Sequence, residues 1–185
     1  MESLKDKVII LTGASRGIGR AAAINLSEDN PKLVLVSRKR NDLEEVLPFL
    51  KCDKENVTLV EGDVSSEEDC RKIVEAAVEK FGTVDILINN AAQFGRAKVT
   101  ELKMEDFDRI MNTNLRGVIY LTQLVLPYMI KQDGGTILNI SSTAGKRGYE
   151  GGTAYAASKH GLNAFSDCLN NSGADHQSFI RRYAG

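Results

Sequence analysis

Short apolar, β-branched runs alternate with longer amphipathic ones along most of this chain, and that rhythm limits its fold more than any other feature. Residues 8–11, 33–36, 57–60, 84–88 and 136–140 read as buried strands. Between them the spacing predicts a helix over 17–26 and a helical stretch through Leu43, Val46, Leu47 and Leu50. A capping box at Ser65 and Glu68 opens another helix, with Ile73, Val74, Ala77 and Val78 on one face. Residues 104–131 hold two helices, and a last one begins near Tyr155. Strand, helix, strand at this spacing means a parallel sheet with helices on both faces, a doubly wound three-layer α/β/α architecture. At 185 residues the chain suits one domain with a real core.

Bulk chemistry excludes several classes. Lysine plus arginine number 24 against 25 acidic residues, which argues against a nucleic-acid surface. Cys52, Cys70 and Cys168 are far apart and lack metal-ligand spacing, and only His160 and His176 accompany them, so no metal site is expected. The first seven residues lack the apolar core of a signal peptide, and no stretch is apolar enough to span a bilayer. A soluble chain in a reducing, cytoplasmic compartment is the expectation.

Two motifs carry the chemistry. Thr12-Gly13-Ala14-Ser15-Arg16-Gly17-Ile18-Gly19 leaves the first strand and enters the first helix, where a doubly wound fold binds nucleotides. Gly13 allows the sharp turn, Gly17 lets a pyrophosphate near the backbone, and Gly19 allows close packing of helix on strand. Phosphates then meet the helix N-terminus, whose free amides and dipole favour anions. Tyr155 and Lys159, in Tyr155-Ala156-Ala157-Ser158-Lys159, lie one helical turn apart on one face. An ammonium beside a phenol favours the phenolate, which would bring the tyrosine closer to neutrality as a proton donor or acceptor.

Together these motifs resemble the short-chain dehydrogenase/reductase family in its standard branch. The resemblance rests on the glycine turn, Asn89-Asn90-Ala91, Asn114, Ser142 and Tyr155-x-x-x-Lys159, in order, and covers roughly residues 5 to 169. It implies a Rossmann-type fold and interconversion of a carbonyl and a secondary alcohol by hydride transfer to or from a nicotinamide cofactor. It casts Tyr155 as the group that protonates the carbonyl oxygen, and Lys159 as the group that lowers the tyrosine pKa and holds the nicotinamide ribose. Ser142, with Ser141 as the alternative, would donate a hydrogen bond to the substrate oxygen. Asn114, with Asn112 competing, matches the asparagine that bends a helix and anchors a relay water. Asn89 corresponds to the brace of the central sheet, while Asn90 and Ala91 would lie beside the adenosine half. Asp63 and Val64 would line the adenine pocket, Asp63 having a plain turn as its alternative. Ser15 and Ile18 belong to the same phosphate turn. Ala92 stands where the family has glycine.

Charge argues for NADP(H) over NAD(H). The second strand ends in Ser37 and Arg38 where an NAD site has an acid, and Arg16 sits in the glycine turn. Two guanidiniums facing a 2′-phosphate, with no carboxylate to repel it, favour the phosphorylated cofactor. The run Arg38-Lys39-Arg40 has a solvated loop as its duller reading.

The end of the chain departs from the family. Residues 170–185 show no apolar run of strand length. The expectation is an incomplete domain over 1–169, followed by an aberrant, disordered tail over 170–185, with the fifth strand left as an exposed edge. A truncated, impaired remnant that binds nucleotide or pairs with a partner therefore competes with an active oxidoreductase acting on a small-molecule substrate. The long helices offer a surface for homo-oligomer formation.

Overall fold

The computed structural model describes residues 3–172 and 179–183, with the backbone alone described for 171–172 and 179–183. Strands β1 (Val8–Thr12), β2 (Lys32–Ser37), β3 (Val57–Glu61), β4 (Ile86–Asn89), β5 (Thr136–Ile140) and β6 (Phe179–Tyr183) form one sheet in the order β3-β2-β1-β4-β5-β6. Every pairing is parallel. Helices α1 (Gly17–Leu26), α2 (Arg40–Glu44), α3 (Glu67–Phe81), α4 (Met104–Met111), α5 (Gly117–Lys131) and α6 (Thr153–Ser172) cross between strands. No helix among the described residues is long and apolar enough to cross a membrane.

Alternation along the strands builds two cores. Val8, Ile10, Val34 and Val36 turn to the face covered by α3 and α5, through Ile73, Val74, Leu121 and Val125. Ile9, Leu11, Leu33 and Leu35 turn to the other face, against Ala23 of α1 and Leu43 of α2. Both sets are buried, which is why β1 and β2 read as continuous apolar runs rather than alternating ones. Each fully buried leucine or isoleucine contributes about 1.5–3 kcal/mol relative to exposure.

The structure corrects the sequence reading in four places. The long helical stretch after β2 is only α2 and a 3₁₀ turn at Leu47–Phe49, because Pro48 has no amide to continue the ladder. The N-cap of α3 is Ser66, not Ser65, since Ser66 Oγ accepts from the Asp69 amide at 3.2 Å. The two helices of 104–131 are joined without a break by a π turn at Asn112–Arg116. The last correction matters most. β5 is not an edge, because β6 pairs with it along all five residues, Thr136 with Phe179 through Ile140 with Tyr183. The disordered-tail expectation therefore fails for 179–183, while 173–178 and 184–185 lie outside the described residues.

Candidate functional site

At the carboxyl ends of β1, β2 and β4 a cleft of about 800 Å³ opens along the sheet. Gly13, Ser15, Arg16, Gly17, Ile18, Gly19, Ser37, Arg38, Asp63, Val64, Asn90 and Ala91 all line it, so the sequence-predicted residues of the adenosine half meet in one place. Gly17 has φ +54 and open space before its Cα, while a Cβ on Gly19 would stand 2.0 Å from the Gly13 carbonyl oxygen. No side chain caps the start of α1, so its first amides face the cleft unsatisfied. Thr12 Oγ1 accepts from the amides of Asn90 and Ala91, both at 3.0 Å, and Asn90 Nδ2 donates to the carbonyls of Thr12 and Gly13. These bonds tie β4 to the turn and fix the cleft floor.

The cations of this cleft are uncommitted. Arg16, Arg38 and Lys39 are exposed along its wall, and among the described residues none of their side chains forms an ion pair. Arg40 belongs elsewhere, donating to Glu44 and to the Leu59 carbonyl. Ser37 is buried, and its hydroxyl closes a local turn with the Lys39 backbone at 2.7 and 3.3 Å. One expectation is overturned: a carboxylate is present, since Asp42 of α2 also lines the cleft. Asp63 is both a turn aspartate and a cleft residue, its Oδ1 accepting from the amide and hydroxyl of Ser65.

Asn114 is linked to Tyr155 through Ser158, Lys159 lies one turn on and Ser142 stands at the exit of β5, and none of the four lines this cleft. Asn114 sits in the π turn, fully buried, where the widened coil turns its amide inward. Its Oδ1 accepts from the Gln93 amide at 2.7 Å, and its Nδ2 donates to the Gln93 carbonyl at 2.9 Å and to Ser158 Oγ at 3.0 Å. Ser158 in turn donates to the Tyr155 carbonyl at 2.7 Å. Asn112 makes no such link and lies on a separate groove of the helix surface.

Lys159 is 3% exposed and its Nζ donates to the Ile140 carbonyl at 2.7 Å, at the end of β5. Burial lowers its pKa to about 8, and its Nζ stands 5.9 Å from the centre of the Tyr155 ring. The two serines separate here. Ser141 donates to Asn163 Oδ1 at 2.7 Å, whereas Ser142 accepts from the Ala144 amide at 3.2 Å and keeps its proton free to donate. Asn89 bonds Asn139 across the sheet at 2.9 Å, and Asn139 reaches Ser166 of α6 at 2.9 Å.

Sequence reasoning missed Gln93, Thr113, Lys39 and Asp42 in the cleft, and Phe94 beside Tyr155. Lys39 and Asp42 lay within reach of the charge argument, one and four residues past Arg38. The others carry no signal apart from following a motif. Among the described residues no group of three metal-ligating side chains converges. Burial, with Asp69 and Asp63 nearby, pushes the Cys70 thiol up to about 12, and burial also raises Cys52.

Comparison with known proteins places this geometry. The sequence profile of the short chain dehydrogenases matches residues 7–183. An uncharacterised oxidoreductase of Listeria monocytogenes is 36% identical over 179 residues, covering 97% of this chain and 72% of that protein. A 3-oxoacyl-[acyl-carrier-protein] reductase of Thermotoga maritima is 36% identical over 159 residues, covering 86% of this chain and 65% of the other. Among solved structures, a metagenomic short-chain oxidoreductase in complex with NADP superposes with a TM-score of 0.91 at 30% identity, covering 99% of this chain and 82% of that one. Glycine turn, parallel sheet and relatives agree that this chain is a member of the short-chain dehydrogenase family of oxidoreductases.

Proposed function

We propose that the chain is an NADP(H)-dependent oxidoreductase that interconverts a carbonyl compound and a secondary alcohol, with Asn114, Ser142, Tyr155 and Lys159 as its working residues. The observation that carries this reading is the buried Lys159 ammonium, held by the Ile140 carbonyl one turn from Tyr155 and two residues before Ser142. A nicotinamide cofactor, when bound, would supply or accept a hydride. The residues fit such a cofactor: the uncapped start of α1 and Gly17 would take the pyrophosphate, Asp63 and Val64 would flank the adenine, and Lys159 would hold the ribose of the nicotinamide half.

The chain's own groups manage the proton. In reduction, Ser142 donates a hydrogen bond to the carbonyl oxygen as negative charge develops there. Tyr155 gives its phenolic proton to that oxygen, and the nearby Lys159 charge stabilises the phenolate left behind. In oxidation the same tyrosine removes the alcohol proton. The hydrogen-bonded run Gln93–Asn114–Ser158–Tyr155, buried at its centre, holds the tyrosine turn in place.

Arg16, Arg38 and Lys39 support NADP(H) despite Asp42 and Asp63 in the same cleft, because unpaired guanidiniums suit a dianionic 2′-phosphate better than bare hydroxyls. Titrating NADPH and NADH separately, followed by NADPH consumption on a panel of ketones and aldehydes, tests the proposal. Tighter NADPH binding and carbonyl-dependent NADPH oxidation are expected. Equal cofactor affinities would remove the NADP part, and no carbonyl-dependent oxidation by cofactor-loaded protein would remove the reaction.

A further inference from the structure

Phe94 is an anomaly: a phenylalanine that is 62% exposed yet packs its ring edge-to-face on Tyr155, with centroids 5.1 Å apart and planes at 70°. Single exposed apolar side chains need no explanation, but the backbone that carries this one is fastened both before and after it. Asn114 grips both the amide and the carbonyl of Gln93, immediately before it. Immediately after it, Gly95 packs so closely on Ile110 of α4 that a Cβ there would meet Ile110 Cδ1 at 2.8 Å. Two residues further, Ala97 bridges Gly152 and donates to the Gly151 carbonyl at 2.9 Å, fastening the strip to the start of α6. Tyr149 lies at the same junction, its ring covering Gly152 while 41% of the residue remains exposed.

The chain thus fixes an open aromatic face directly against the tyrosine that handles the proton. The geometry points to Phe94 as a specificity-determining residue whose ring packs on an apolar, ring-bearing substituent next to the reacting carbonyl. Aryl ketones and the matching benzylic alcohols are accordingly the favoured substrate class. This rests on the proposed carbonyl chemistry at Tyr155 and narrows it. Two rings meeting edge-to-face or offset-stacked gain beyond simple burial, which makes the aryl preference on the order of tenfold.

The probe is 4-fluoroacetophenone, titrated into NADPH-loaded protein and followed by ¹⁹F NMR, with trifluoroacetone as the small aliphatic comparison. The parent is expected to bind the aryl ketone at least tenfold tighter than the aliphatic one. Phe94→Ala should bring the aryl-to-aliphatic ratio within about twofold of unity while leaving the NADPH dissociation constant unchanged, and Phe94→Tyr should restore the preference. An aryl preference that survives in Phe94→Ala, or its absence in the parent, overturns the inference. The underlying reading fails in a separate way, through protein that does not bind NADPH, or that binds it and turns over neither ketone. Loss of NADPH binding in Phe94→Ala alone would mean that Phe94 supports the fold rather than selecting substrate, and would also overturn the assignment.

Discussion

The two ends of the site are built on opposite electrostatic plans. Along the adenosine cleft the charges are exposed and unpaired: Arg16, Arg38 and Lys39 stand in solvent with no ion pair among the described residues. Around Tyr155 a chain of hydrogen bonds runs from Gln93 through the buried Asn114 and Ser158, and the cation one turn away, Lys159, is withdrawn from water. The first arrangement suits capture of a charged ligand, where strength scales with charge and falls with salt. The second suits chemistry, where groups must already be oriented before the reaction begins.

Four changes would break or sharpen that contrast. The largest effect is expected from Tyr155→Phe, which keeps the ring against Phe94 but removes the phenolic proton. Turnover should fall on the order of 10³-fold with NADPH affinity nearly unchanged. Activity within tenfold of the parent would show that another group is the acid.

Next comes Lys159→Met, read through pH. The folded chain holds Lys159 near 8 against 10.5 for a free lysine, so between those values the unfolded chain carries the proton and the folded chain does not. Stability therefore rises with pH across that window, by about 3 kcal/mol, and the full cost is present below it. The advantage of Lys159→Met over the parent in urea melts should shrink by that amount from pH 8 to 10.5. A gap independent of pH would contradict the burial account.

Asn114→Ala removes one acceptor and one donor and leaves the partly buried Gln93 peptide without its Asn114 partners. A loss of about 2–3 kcal/mol in denaturant unfolding is expected. A loss under about 0.5 kcal/mol would mean the clamp is not a structural element. The smallest effect belongs to the open end. Arg38→Asp should weaken NADPH about tenfold, invert its preference against NADH, and leave the melting temperature where it was. The weakening should also be larger at low salt than at high.

Legibility in the sequence followed the same divide. The strands were readable because burial on both faces makes them plain apolar runs, and Thr136–Ile140 matches β5 residue for residue. The cleft was readable because the sharp turn at Gly13 and the close packing of Gly19 on it demand glycines at set places. β6 was not, since Phe179-Ile180-Arg181-Arg182-Tyr183 lacks an apolar run and its strand state comes from the waiting backbone of β5. The π turn left no mark in composition, because an extra residue in a coil alters spacing, not chemistry. Asp42 was overlooked since α2 was read as part of a longer amphipathic helix, and Phe94 because an exposed aromatic beside a motif looks like ordinary loop.

The Asn89–Asn139 bond has a consequence for how the sheet finds its alignment. β4 and β5 offer three apolar residues apiece that would pair almost as well if slid along each other by two places. One polar letter in each strand breaks that degeneracy. In the native alignment the two amides face each other and the second reaches Ser166; in a slipped one both would be entombed against aliphatic neighbours, at roughly 1–3 kcal/mol apiece. Ser142 follows Asn139 by three residues on the same strand exit, and Lys159 is tethered to Ile140 between them. A single asparagine pair deep in the sheet thus works as an index mark, and the depth at which the serine meets the tyrosine is measured from it.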